Sequence, residues 1–323
     1  MKESVNQKLK AAAGVALGQC LGVRPGEQVL IVTDPVCLSV GQAIRQAAEE
    51  REAEWLLLTM NPREANGQEP PRAVAEAMRA SEVCLLPVSK SLTHTVARRE
   101  ASEAGARIAS MPGITEEIMA RALGVDYEAI RDLTGRLGRA MADSNEVRIT
   151  TPAGTDLSLK IQGRPLIEDT GIYLEAGQWG NLPAGEVYVA PIEGSAQGRL
   201  VIDGSLAAIG VLSSPVTVEI SDGRAASFNG GPEAGRLQEI LDAAGPEGRN
   251  VAELGVGTNP SAKLVGNILE DEKVLGTVHV AFGANASFGG QIQVACHIDG
   301  VLLRPTLWVG EKELLSEGTL KLD

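Results

Sequence analysis

Between residues 27 and 112 one pattern recurs: a short apolar run, a polar break, then an amphipathic stretch. EQVLIVTD (27–34) is followed by LSVGQAIRQAAEEREA (38–53) and EWLLLTM (54–60). EVCLLPVS (82–89) then precedes a helical stretch over about 92–104 and the run ARIASMP (106–112). Unbroken apolar runs are what strands buried on both faces require. Strands separated by helices cannot close as hairpins, so they run parallel with the helices as crossovers. Helical patterning continues through most of 115–142.

From residue 145 the texture changes. EVRITTPAGTDLSLKIQG, GEVYVAPIEG, GRLVIDGS and PVTVEISDGRAASFNG are short alternating runs broken by Gly, Pro and Asp, the signature of antiparallel strands and hairpins. One helical stretch (231–244) interrupts them before the final runs TVHVAFG, QIQVACHIDGVLL and TLWVG. A chain of 323 residues accommodates two medium cores. The expected fold is α/β: a parallel-sheet N-terminal domain over 1–144 and a mixed, strand-rich α+β C-terminal domain over 145–323, which carries the site.

Composition excludes several function classes. A net charge of −13 and 3% aromatic residues leave neither the clustered cations nor the stacking platforms that nucleic acids require. No apolar run approaches the roughly 20 residues that span a bilayer, and the first residues lack the order of a secretory signal, so a cytoplasmic, membrane-free protein is expected. Cys20, Cys37, Cys84 and Cys296 are scattered without a C-x-x-C. GVGTNP and GANASFGG do not match a dinucleotide fingerprint, so no nucleotide cofactor is expected.

Of three histidines, two fall on predicted strands: His279 in GTVHVAFG and His297 in ACHIDG. Side chains alternate across a strand, so His297 and Asp299 share a face. Such a pair suits a metal ion, and equally a buried imidazole oriented by a carboxylate. Glu186 in NLPAGEVYVAP and Glu253 in NVAELGVGTNP sit in apolar company, where a carboxylate needs a partner unless it lies exposed at a strand end. Two imidazoles and three carboxylates form an inventory suited to one or two divalent metals, though their spacing makes no compact motif.

NLPAGEVYVAP, AELGVGTNP, LEDEKVLGTVHVAFG and HIDGVLLRPT, in that order, resemble the M29 metallo-aminopeptidases, and SLTHTVARREASEAGARIASMPGIT resembles their N-terminal domain. The resemblance implies two divalent ions (Zn, Co or Mn), the first held by Glu186, Glu253 and Asp299 and the second by Glu253, His279 and His297. It further implies removal of N-terminal residues from short peptides, and a homodimer. The chain departs from that pattern in three respects. HVAFGANASFGG has Ala286 or Ser287 where the peptidases place a tyrosine, Gly185 replaces an acidic residue before Glu186, and the chain is shorter. The same superfamily includes ring-cleaving dioxygenases of dihydroxypyridines that use one Fe(II), a role open to His279, His297 and Asp299, with Glu186 and Glu253 then supporting. A third reading is a metal-free binding protein that keeps the fold.

Three further residues are candidates for catalysis. His94 lies near a helix start after the third strand, as an acid or base or as a first-turn residue beside a capping Ser91 or Thr93. Lys273 in EDEKVLG is placed to stabilise an oxyanion or to make a surface ion pair. Arg304 could clamp a substrate carboxylate or lie solvated.

Overall fold

A computed structural model describes residues 2–142 and 144–322. Its strands, in chain order, are β1 (Gln28–Thr33), β2 (Glu54–Thr59), β3 (Val83–Val88), β4 (Arg107–Pro112), β5 (Glu146–Thr150), β6 (Asp156–Lys160), β7 (Ile167–Asp169) and β8 (Trp179–Asn181). They continue as β9 (Glu186–Val189), β10 (Gln197–Ile202), β11 (Ser205–Leu206), β12 (Gly210–Val211), β13 (Val216–Ser221) and β14 (Arg224–Asn229). The last are β15 (Val251–Gly257), β16 (Val278–Gly283), β17 (His297–Leu302), β18 (Thr306–Val309), β19 (Lys312–Ser316) and β20 (Thr319–Leu320). The chain divides into two compact units, residues 1–131 with 170–184, and 132–169 with 185–323.

The first unit is built on a sheet in the order β2-β1-β3-β4-β8, parallel throughout, as the apolar runs require. The edge strand β8 is three residues long and comes from the later segment, so no apolar run announces it. The helix after β3 begins at Val96, capped by Thr95 rather than Ser91 or Thr93; the Thr95 side chain accepts a hydrogen bond from Arg98 N.

Strand order reverses at β1, and in open α/β sheets that point forms a ligand crevice. Here Asp34, fully buried at the end of β1, closes it. Its Oδ1 accepts hydrogen bonds from Val36 N (3.0 Å) and Cys37 N (3.2 Å), and its Oδ2 from Ser89 N (2.7 Å) and Ser89 Oγ (2.6 Å). One carboxylate therefore ties the end of β1 to the chain leaving β3.

Among the described residues the second unit holds two sheets, in the orders β14-β13-β10-β6-β5-β18-β19-β20 and β12-β11-β17-β16-β15-β9-β7. Alternation sends Val147, Ile149, Leu200 and Val218 of the first sheet, and Val187, Leu254, Val256, Val280 and Phe282 of the second, into one shared core. The opposite face of the second sheet is thereby left for polar groups. No helix among the described residues is long and apolar enough to cross a membrane.

Removing the Asp34 carboxylate strands buried donors, which costs about 3 kcal/mol. Asp34→Ala should lower the urea midpoint of unfolding accordingly, with Asp34→Asn less affected; an unchanged midpoint would show that the carboxylate does not hold these strands.

Candidate metal centre

Four adjacent strands, β17, β16, β15 and β9, place His297 and Asp299, His279, Glu253 and Glu186 on the same face of the sheet. Their neighbours along each strand, Ile298, Val280, Leu254 and Val187, enter the core. Parity therefore selects the site: a carboxylate or imidazole at one position requires an apolar residue at the next.

Small residues separate the large ones. One row across the sheet reads Asp299, Ala281, Glu253, so a methyl group stands between the two carboxylates. The next reads His279, Gly255, Tyr188. A Cβ at Gly255 would lie 2.0 Å from His279 Nε2, so the imidazole occupies the space that the glycine leaves.

The side chains converge. Glu253 Oε1 lies 3.1 Å from His279 Nε2, and its Oε2 lies 3.4 Å from His297 Nε2. Asp299 Oδ1 is 3.4 Å from His297 Nε2, and Glu186 Oε2 is 3.3 Å from His279 Nε2. His297 Nδ1 is 2.8 Å from the Ala284 carbonyl, which has no proton to give, so Nδ1 donates and a neutral ring keeps its lone pair on Nε2. Phe288 packs edge-on against His297, with ring centroids 5.9 Å apart, and against Tyr188 at 5.5 Å.

Lys273 is buried, with 1% of its surface exposed, and does not make a surface ion pair. Its ammonium donates to Glu186 Oε1 and to Glu272, and lies 3.8 Å from Asp169 Oδ2. Glu272, Asp169, Tyr188 and Phe288 were not among the residues expected from sequence. Glu272 adjoins Lys273 in an acidic stretch that reads as solvated surface, whereas Tyr188 shares strand parity with Glu186 and was open to the same argument.

Burial opposes charge on Glu253, His279 and Lys273, where neighbours reverse it, whereas on Glu186 and Glu272 burial prevails and raises the pKa, to about 8 for Glu186. For Glu253 burial raises the pKa, but hydrogen bonds from His279 and His297 outweigh it and bring it down to about 2. For His279 burial works against the cation, yet the Glu253 hydrogen bond and the charges of Glu186 and Glu253 raise its pKa to about 9. Burial likewise opposes the Lys273 ammonium, and Glu186 and Glu272 reverse that effect, keeping it charged.

Two groups of side chains have the donor set and proximity to hold a metal ion: Glu186, Glu272 and His279, and Glu253, His297 and Asp299, with ligand atoms within 4.8 Å of one another in each. Glu186 Oε2, Asp299 Oδ1 and His279 Nδ1 are buried with no hydrogen-bond partner. Unpartnered buried carboxylate oxygens are costly, and a cation is the partner that suits them. Nitrogen and oxygen donors together suit a borderline divalent metal.

His94 is exposed in the first unit, edge-on to Trp179 at 6.5 Å. Arg304 is exposed in the turn after β17 with φ +46°, and belongs to neither ligand group.

A family model described as 2,5-dihydroxypyridine 5,6-dioxygenase matches residues 9–322. The chain belongs to the 2,5-dihydroxypyridine 5,6-dioxygenase family. A curated relative of that name from Pseudomonas putida KT2440 is 26% identical over 261 residues, covering 75% of this chain and 72% of the relative. The solved structure of 2,5-dihydroxypyridine dioxygenase from the same organism superposes with a TM-score of 0.84 at 20% identity, covering 98% of both chains. Wild-type AmpT from Thermus thermophilus gives a TM-score of 0.69 at 17% identity, covering 97% of this chain and 99% of that one.

Membership in the dioxygenase family corrects the functional expectation. The aminopeptidase likeness extends to the fold, whereas the family match is to a ring-cleaving oxygenase, so the hydrolase and peptidase assignments are withdrawn. The physical reason is that one fold can carry more than one chemistry, so likeness of fold does not decide the reaction.

Gly255→Ala should push the His279 ring aside and weaken divalent-metal affinity by about tenfold or more, since one ligand moves out of place. Calorimetric metal titration checks this, and unchanged affinity would show that the ring is not needed for binding. In metal-free protein, His279 contributes stability that is fully present below the ordinary imidazole value of 6.5 and lost as pH rises through about 9. Metal must displace that proton, so affinity should climb by about tenfold per pH unit across the same interval. A flat profile would contradict the proton linkage.

Proposed function

We propose that the protein is a mononuclear Fe(II)-dependent dioxygenase that cleaves the ring of a dihydroxylated pyridine. The observation carrying this reading is that the family match runs across every strand of the buried cluster, where Glu253 lies within 3.4 Å of the imidazoles of both His279 and His297. His279 from the first ligand group and His297 and Asp299 from the second would hold the metal, with Glu253 reaching both imidazoles through its two oxygens. Two imidazoles and one carboxylate are the ligand set of non-haem iron oxygenases and leave positions for other ligands. Bound Fe(II) supplies the one-electron chemistry that lets dioxygen react with an aromatic ring.

The chain's own residues prepare that site. The Ala284 carbonyl holds the His297 Nδ1 proton and so sets the tautomer. Lys273 brings positive charge to Glu186 and Glu272, the two carboxylates of the first ligand group, which favours one metal over the two expected from the peptidase likeness. The hydrophobic core behind the sheet bars water from that side. In the overall reaction one ring carbon–carbon bond breaks and both oxygen atoms enter the product, so the ring supplies all the electrons and no external reductant is consumed. The homodimer expected from the peptidase resemblance belongs to this proposal as well, and sedimentation at micromolar concentration tests it.

Protein prepared without chelators and loaded anaerobically should retain one iron per chain and consume dioxygen in proportion to added 2,5-dihydroxypyridine. Asp299→Ala and His297→Ala should each lose the iron and the oxygen uptake. Two tightly held zinc ions per chain, with no oxygen uptake by the iron-loaded protein, would overturn the reading.

A further inference from the structure

Phe288 stands beside the ligand set. The chain has three phenylalanines, and Phe288 lies half-buried in the short turn Ala286–Phe288 between β16 and β17. Its ring meets two rings edge-on: Tyr188 at 5.5 Å and 78°, and His297 at 5.9 Å and 87°. Tyr188 is two residues along β9 from Glu186 and on its face. Phe288 therefore bridges the side chains of β9 and β17 next to the carboxylates and imidazoles.

The segment bearing it is held in place from both sides. Arg164 donates to the Gly289 carbonyl and pairs with Glu193. Glu193 also accepts hydrogen bonds from Asn285 Nδ2 (3.1 Å) and Gln291 N (2.8 Å). Gly289 has φ +102° and a Cβ there would lie 2.5 Å from Pro165; a Cβ at Gly290 would lie 2.0 Å from Asn285. The backbone on either side of Phe288 is thus committed to one path, and the ring is preorganised rather than draped over the site. The ring is only partly buried, which leaves part of its surface open to a further partner, and aromatic partners gain from offset or edge contact beyond simple burial.

We propose that Phe288 is the aromatic wall against which the planar substrate ring lies, and hence a residue that determines specificity for aromatic rings. The proposal rests on the ring-cleaving reading of the site. It assigns Phe288 to binding the ring and leaves holding the metal to the imidazoles and carboxylates. Its loss should therefore appear in ring affinity and KM while iron content stays constant.

The test compares iron-loaded wild type with Phe288→Leu, Phe288→Met and Phe288→Tyr, titrated anaerobically with 2,5-dihydroxypyridine by absorbance, with iron per chain, KM and kcat measured alongside. Loss of one aromatic contact predicts that the leucine and methionine variants raise Kd and KM about five- to tenfold, with kcat changed less. Phe288→Tyr, which keeps the ring, should remain within about twofold of wild type. The methionine variant keeps the test open if the leucine variant fails to fold. Wild-type ring affinity in the leucine or methionine variant overturns the proposal, as does equal weakening in the tyrosine variant, which would point to packing volume. Loss of iron from the leucine and methionine variants also overturns it, by making Phe288 a support for His297. A wild type that binds iron but not the ring overturns the functional reading itself, and is distinguished by failing before any variant is compared.

Discussion

Negative charge buried on one face of a sheet governs this molecule. Glu186, Glu253 and Asp299 are buried together on strands whose other face is solid hydrocarbon. Carboxylates withdrawn from water persist as anions only where positive charge or hydrogen-bond donors come to them. Lys273 meets part of that demand from inside the fold, and the imidazoles of His279 and His297 meet more of it when protonated. Asp299 Oδ1 and Glu186 Oε2 keep oxygens with no hydrogen-bond donor, and the proposed metal cation would complete the balance there. Without it the chain holds these carboxylates at an electrostatic cost.

The scaffold makes that concentration of charge possible by simple geometry. Period-two alternation on four adjacent strands assigns every second residue to the core, and antiparallel register lines up the remainder. Gly255 and Ala281 keep the rows from crowding, so the His279 ring takes the space over Gly255 and Glu253 reaches both imidazoles. The first unit follows a different rule: its parallel sheet has the crevice at its reversal point taken up by Asp34, whose hydrogen bonds bind strand ends together.

Much of this was legible from residues alone. The H-x-D spacing put His297 and Asp299 on one face, and the apolar runs of β1 to β4 announced a parallel sheet, because both features are local consequences of backbone period. Other features were hidden for equally physical reasons. Trp179–Asn181 is too short for a hydrophobic run to register it as a strand, and Lys273, directly after Glu270, Asp271 and Glu272, reads as surface until long-range packing buries it against Glu186. Phe288 gains meaning only when its turn folds back onto Tyr188 and His297. The resemblance to metallo-aminopeptidases misled about chemistry while serving for fold, since a fold shared with AmpT at a TM-score of 0.69 does not decide which reaction its site performs.

In the proposed reaction dioxygen enters the product whole. The direct measurement is a single turnover of anaerobically iron-loaded protein with 2,5-dihydroxypyridine under isotopically labelled dioxygen, followed by mass spectrometry of the quenched product. A ring-opened product that gains the mass of both labelled atoms is the expected result. Recovery of unchanged ring without oxygen uptake, or a product carrying one labelled atom, would contradict it.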